Sequence, residues 1–461
     1  MVYKLIFSTL IVAYSLFLLF FPGKATSHDL YVWGMIGWVQ FFLTIYSWIK
    51  SGNRLISPYV IFIICCFIFN FGQALLYPFG YDFKFPILYN IKPTSIFRSE
   101  VYTLLMFAGF HLGALFYNSK KTSFRVKVDY NKKKIIRIGW VIFVVSVVPY
   151  FYDLISNIIL SMTFGYGALY EQEAKTGLAS IMSFVGTFFI PSCICLYVGY
   201  RDRHSKQMII EFILLFIVVG TFLVGGRTGG VIILGMLLVL RNYLYKPITK
   251  KGLLIVVVAG FGLLGVLSTI AKVRGSTDRS LESYEMSGNS SDGAADAIRE
   301  MGGSMSCLIK TQDFVPATED YRYGTTYLYA LTSIIPNFGQ WEIHPAKNGA
   351  NMSHWLTNKM RLNYGTGFSI TAEAYINFGY FSWVAMLLLG YLFAWCFKMI
   401  EIGVKCNNGP VIIFSLIIFF FGLTLPRNNF INIVRPMVFY ALPIYYLCKS
   451  KVYKKTPKRI D

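Results

Sequence analysis

Residues 201–251 read RDRHSKQMIIEFILLFIVVGTFLVGGRTGGVIILGMLLVLRNYLYKPITKK. A basic cluster, Arg201, Arg203 and Lys206, leads into the apolar run Met208–Val224. A glycine-rich turn around Arg227 reverses the chain, and a second run, Val231–Tyr245, returns it to Arg241, Lys246, Lys250 and Lys251. A bilayer core of roughly 30 Å needs about 20 mostly apolar residues per helix. Connections on the cytoplasmic side gather Lys and Arg. The stretch therefore reads as a membrane hairpin, with its basic ends on one side and the Arg227 turn on the other.

The same punctuation extends in both directions. Apolar runs recur from Leu5–Phe21 to Leu253–Ile270, then at Ala374–Phe397, Val411–Leu425 and Ile433–Leu447. Lys120, Lys121, Arg125, Lys127, Lys132, Lys133, Lys134 and Arg137 crowd one connection, and Lys449, Lys451, Lys454, Lys455, Lys458 and Arg459 form the tail. With about twelve spans, all these clusters fall on one side. The pattern predicts an all-α polytopic membrane protein with both termini cytoplasmic, a single integral membrane domain over residues 1–461, and one large extracytoplasmic loop at 273–366 between spans nine and ten. Charged residues make up 14% of the chain, against about 25% in soluble domains. The net charge of +21 is thus accounted for by membrane topology, and its placement argues against a nucleic-acid partner.

Several chemistries lose support. The eight cysteines form no disulfide framework: Cys65, Cys66, Cys193, Cys195 and Cys396 lie within spans, and Cys307 alone falls in the long loop. No Walker loop, dinucleotide glycine motif, HExxH or GxSxG is present, so no nucleotide cofactor or metal is expected.

Arginine at a membrane boundary is costly and usually has a task. Arg227, Arg274, Arg427 and Arg435 all fall at the predicted outer interface. Guanidinium forks match phosphate oxygens, so four at one depth suit an anionic head group, while snorkelling toward ordinary lipid phosphates is the competing reading. Glu373 opens the tenth span, where a dry boundary can turn a carboxylate into a proton acceptor. A helix N-terminus or an ion pair would explain it equally well. His344 is a second candidate for the proton. The loop aromatics, Tyr323 among them, can stack on sugar faces or simply pack.

The ordered series Gly226-Arg227-Thr228, Val273-Arg274-Gly275, Tyr323-Gly324-Thr325-Thr326-Tyr327, Ile335-Pro336 and Pro345-Ala346-Lys347, then Ser369 through Glu373-Ala374-Tyr375-Ile376-Asn377-Phe378-Gly379 to Gly390, resembles the bacterial oligosaccharide repeat-unit polymerases, the Wzy-type O-antigen and capsule polymerases. The resemblance covers about Thr221 to Gly390 and the overall topology. Asn337-Phe338-Gly339-Gln340 departs from it by lacking a basic residue soon after Ile335-Pro336. The resemblance implies a GT-C-like, metal-independent glycosyltransferase of the bacterial plasma membrane. Its substrates would be undecaprenyl-pyrophosphate-linked oligosaccharides, polymerised on the outer face for lipopolysaccharide O-antigen or capsule. A separate chain-length regulator is the partner it implies, with membrane lipid around the spans. Arg227 and Arg274 would hold the donor pyrophosphate with help from Arg427 or Arg435. Tyr323 and Lys347 would contact substrate, and Glu373 or His344 would take the proton. A flippase for lipid-linked sugar and an O-antigen ligase are the alternatives.

Overall fold

The computed structural model describes residues 1–20, 23–85, 91–118, 131–171, 177–273, 293–335, 343–362 and 365–449. Among them the chain is helical with no strand, and twelve helices are long and apolar enough to cross a membrane. The protein is an all-α polytopic membrane protein.

Local chemistry sets many of the helix starts. Thr26 and Asp29 form a reciprocal capping box at the head of α2 (Ser27–Lys50), which follows α1 (Val2–Leu19). Ser57 caps α3 (Pro58–Leu76), with Pro58 in the first turn, where no backbone donor is needed. The next spans are α4 (Pro93–Asn118), α5 (Lys132–Phe164), α6 (Gly177–Gly186), α7 (Phe189–Gly199), α8 (His204–Val224), α9 (Arg227–Leu240) and α10 (Lys250–Val273). Gly225, at φ +89°, ends α8, and Gly226 caps α9. Among the described residues the loop carries five short helices where two or three were expected: α11 (Gly293–Met301), α12 (Met305–Phe314), α13 (Thr325–Thr332), α14 (Pro345–Gly349) and α15 (Met352–Lys359). Side-chain caps from His344 and Asn351 start the last two.

The tenth span differs from its expected form. A single helix over Ile370–Lys405 would run about 54 Å, far longer than the roughly 30 Å apolar core. The chain breaks at Gly379, at φ +56°, into α16 (Ile370–Phe378) and α17 (Trp383–Lys405). Thus Ala374–Phe378, expected in one helix with the rest of the span, belongs to a separate short helix, and Glu373 lies in the first turn of α16. The chain ends with α18 (Gly409–Gly422), a turn at Leu425–Arg427, α19 (Ile431–Pro436), a π-turn at Met437–Ala441 and α20 (Leu442–Cys448).

Two compact units emerge. The first comprises Met1–Lys121, Ala294–Trp395 and Gly422–Arg435. Its centre is α4, buried along almost its whole length against α1, α2, α3 and α12. Some polar side chains inside it are matched: His111 bonds Ser47 through Nε2 and Tyr59 through Nδ1, both at 2.7 Å, and Gln40 receives the Tyr14 hydroxyl and donates to the Leu104 carbonyl. In lipid such bonds hold helices together where no hydrophobic force between them exists. Glycines let α4 and α17 touch backbone to backbone. A Cβ on Gly109 would stand 2.7 Å from the Trp383 carbonyl, and one on Gly113 or Gly390 would collide with the Leu387 or Phe110 carbonyl.

The second unit comprises Thr122–Gly293, Cys396–Phe421 and Pro436–Asp461. Its long α5 packs on α6, α7 and α8. Tyr150 stacks on Phe189 at 4.7 Å, and Asp153 accepts the Ser183 hydroxyl at 2.6 Å. Glu211 takes the Tyr197 hydroxyl at 2.7 Å and pairs with Arg241.

The glycine crossing is testable. Gly113→Val should destabilise the first unit by about 1–3 kcal/mol through overpacking. Thermal unfolding in detergent should show a lowered Tm and less monodisperse protein.

Candidate functional site

The first unit closes around α16. Every residue from Ile370 to Asn377 is buried, because α16 is wrapped by α12, α13, α4 and the Leu425–Arg427 turn. A carboxylate in such a place needs donors. Glu373, 1% exposed, has them on both oxygens: the Thr326 hydroxyl donates to Oε1 at 3.1 Å and the Phe430 backbone N–H to Oε2 at 2.6 Å. Asn377, one turn on, donates to Thr326 Oγ1 and to the Glu373 carbonyl, each at 2.7 Å. The Tyr327 ring faces Phe378 and Phe430. Burial, and then the Glu373 charge, push its hydroxyl well above the usual range, so it stays neutral.

The same helix end shapes the loop. Arg322 N–H and Tyr323 N–H donate to the carbonyls of Ile376 and Asn377, and Gly324 N–H donates to Asn377 Oδ1 at 2.9 Å. Tyr323 and Gly324 both hold left-handed backbone, at φ +48° and +85°. A tyrosine there is strained unless its surroundings over-determine it, and such strain gathers at functional sites. The Tyr323 side chain is 75% exposed, free to meet a ligand.

Arg427 sits half-buried in its turn. The turn is fixed from one side by Asn70 of α3, which donates to the Pro426 carbonyl at 2.9 Å and accepts from Thr371 at 2.9 Å. From the other side Glu373 holds Phe430, three residues on. The Arg427 charge reaches Cys307 of α12, whose thiol burial nevertheless pushes up to about 12, leaving it an unreactive thiol. Arg435 is exposed at the end of α19. Its neighbour Val434 packs with Ala330 of α13 and Ala350 at the end of α14. Lys347 is exposed on α14. The first unit therefore brings Glu373, Tyr323, Arg427, Arg435, Lys347 and His344 around one cluster of short helices.

His344 is committed locally. Its Nδ1 accepts the Ala346 N–H at 3.1 Å and its Nε2 bonds the Ile335 carbonyl at 2.8 Å, so Nε2 carries the hydrogen of a neutral ring. It caps α14. Arg227 is the first residue of α9, in the second unit. Arg274 lies outside the described residues. No group of three His, Cys, Asp or Glu side chains among the described residues is placed to hold a metal ion.

Two functional features escaped the sequence reading. Asn377 and Asn70 are ordinary amides until their partners, tens to hundreds of residues away, are known. Arg98 in the first turns of α4 pairs with Asp313 of α12 at 3.5 Å. The rule that picked out Arg427, an arginine at a span's edge, applies to Arg98 as well.

A second cluster ties α15 to this loop. Glu319 accepts Lys359 Nζ at 2.7 Å and Trp355 Nε1 at 2.8 Å, with Arg322 at 3.4 Å. Partial burial alone would raise its carboxyl. The hydrogen bonds from Lys359 and Trp355 and the charges of Lys359 and Arg322 outweigh that and hold it below the usual glutamate range. A depressed carboxyl contributes stability that is present above its unfolded value, about 4.3, and is lost as pH falls through its folded value. Hydrogen exchange over 352–359, corrected for intrinsic pH dependence, should stay slow at neutral pH. It should quicken only below about 4.3.

The sequence model of the family described as "O-antigen polysaccharide polymerase Wzy" matches residues 3–455. Neither a curated protein nor a solved structure matches the chain.

Proposed function

The chain belongs to the O-antigen polysaccharide polymerase Wzy family, and on that premise we propose that it joins undecaprenyl-pyrophosphate-linked oligosaccharide repeats on the outer face of the bacterial plasma membrane. A hydroxyl oxygen of the acceptor sugar attacks the anomeric carbon of the donor chain. The bond from that carbon to the diphosphate oxygen breaks, and undecaprenyl diphosphate leaves with the electron pair. The acceptor hydroxyl gives up its proton to solvent or a nearby base as the new glycosidic bond forms.

The diphosphate is already a good leaving group, so the protein's task is to orient two sugars and stabilise departing negative charge. Arg427 is the residue proposed for that charge, with Arg435 of the same unit as a second. Fixed guanidinium groups can do this without a metal. The observation that carries the reading is the anchoring of the Arg427 turn from both sides, by Asn70 at Pro426 and by Glu373 at Phe430. Preorganised donors are worth most when they need not move at the moment of reaction. Tyr323 and Lys347 face outward nearby, where they can meet sugar. Arg227, at the head of α9 beside two glycines, is proposed as an anion contact of its own unit.

Glu373 and His344 are proposed as positioning residues. Both oxygens of the one and both ring nitrogens of the other are already engaged, which supports holding the loop over taking a proton.

With purified protein in liposomes and synthetic lipid-linked repeats, Arg427→Ala should lower the polymerisation rate by about 100-fold or more. Arg427→Lys should recover only part of it. Glu373→Gln, which keeps an acceptor for Thr326 or Phe430, should retain over a tenth of the rate, whereas removing a proton acceptor costs about a hundredfold or more. A Glu373→Gln enzyme that is folded yet inactive by 100-fold would restore the proton-acceptor role, and polymer made at the normal rate by Arg427→Ala would remove Arg427 from the site.

A further inference from the structure

The loop helix α13 is built inside out. Its inward face carries Thr326, Ala330 and, in the turn that continues it, Ser333, all buried. Its outward face carries Leu328 and Leu331, 65% and 48% exposed, and Ile335 in the continuing turn, 50% exposed. Spacings of three and four residues put these three on one stripe. Tyr329 stands beside it, also exposed, and Ile343 precedes the His344 ring that bonds the Ile335 carbonyl. Among the described residues of the loop, every large apolar side chain that is exposed lies between Tyr323 and Ile343. A helix surrounded by water on its open side turns its leucines in and its threonines and serines out. α13 does the opposite.

Its depth follows from what it packs on. Ala330 forms a buried cluster with Ala350 and Val434, and Ile334, Phe430 and Ile431 pack against that cluster. Tyr327 meets the Phe430 ring at 5.3 Å between centroids. Ile431 and Val434 belong to the last span, Ile431–Cys448. Val434 stands one helical turn, about 4.5 Å of rise, from the start of that span. α13 is therefore seated on the head of a span, at the level where the span leaves the apolar core. The bare stripe lies on the side of α13 turned away from that seat.

We propose that α13 is an interfacial helix docked on the outer leaflet, with Leu328, Leu331 and Ile335 among the upper acyl carbons and Tyr329 at head-group level. Interfacial helices bury an apolar face about 5–10 Å into the head-group and acyl boundary, and tyrosine gathers at that boundary. A helix fixed to the first turn of a span already stands at this depth. A protein partner fits the stripe less well. Three aliphatic side chains and a tyrosine fall short of the roughly 800 Å² per partner of a standard interface, and α13, TTYLYALT, carries no charge to orient one. The docking bears on the site through the opposite face of the same helix, where Thr326 donates to Glu373. Lipid under the stripe holds in place the helix that fastens the buried acid. The inference draws on the membrane fold and is independent of the reaction proposed above.

The test uses the full-length protein in phosphatidylcholine nanodiscs, with a photoreactive benzophenone side chain in place of Leu331 and, separately, of Leu328. Val39, exposed on the span α2, is the lipid-facing reference, and Thr318, exposed on the turn after α12, is the water-facing one. After irradiation, phosphatidylcholine adducts are counted by mass spectrometry. Leu331 and Leu328 should each give about tenfold more adduct than Thr318, and come within about threefold of Val39. Hydrogen exchange supplies a second reading. Leu328→Gln with Leu331→Gln keeps two good helix formers, so on a stripe facing water the pair leaves exchange over 325–332 unchanged. On a stripe docked in lipid it should quicken that exchange about fivefold or more. Adducts no more frequent at Leu328 and Leu331 than at Thr318, crosslinks to a second copy of the chain in place of lipid, or unchanged exchange in the double variant would each overturn the proposal.

Discussion

A carboxylate shut away from water must be supplied with donors or it destabilises everything around it. Glu373 obtains its donors from Thr326, 47 residues before it, and Phe430, 57 residues after it. One buried acid therefore fastens three separate stretches: the loop helix α13, the buried α16, and the turn that carries Arg427. The local geometry of the first unit follows from that fastening. Asn377 completes it from the same helix face and, through Gly324 and Tyr323, forces the loop into a conformation that a tyrosine adopts only under constraint.

The break at Gly379 makes this arrangement possible. A continuous helix of 36 residues would carry Glu373 far beyond the apolar core on a solvated rod. Breaking it returns α16 into the protein, where all its backbone and side-chain polar groups can be matched by neighbours. Short interrupted helices are tolerated at membrane boundaries only when buried in protein or lining a cavity. α16 is buried.

The Arg427 turn and Arg98 differ in how they are held. The turn that carries Arg427 is fixed through its backbone, from Asn70 on one side and Glu373 on the other. Arg98 is tethered through its side chain to Asp313, an acid that also takes Lys310 at 3.3 Å. A shared and stretched ion pair leaves donor capacity to spare. Both arrangements present positive charge in a low-dielectric setting, where it acts more strongly than in water.

Much of this was legible in the sequence. Hydropathy sums over some 20 neighbouring residues, and positive-charge bias is read connection by connection, so the helical membrane fold, the twelve spans and the long late loop are all local properties. The ordered motifs from Arg227 to Gly390 carried the family for the same reason. The sequence also marked out Glu373, His344 and the arginines as unusual for where they stand. It could not assign them tasks. His344 became a helix cap, and Glu373 a fastening, only once their partners were in place. Arg98 and Asn70 drew no notice at all, and Asn377 only as a member of a motif. Asn70 reaches Pro426 across 356 residues, and no pattern within a window predicts which two distant segments a fold will press together. Membership of the bilayer is written residue by residue, in apolar surface and charge. The site is decided by desolvation, which exists only after packing has removed the water and left each buried polar group to find its partner.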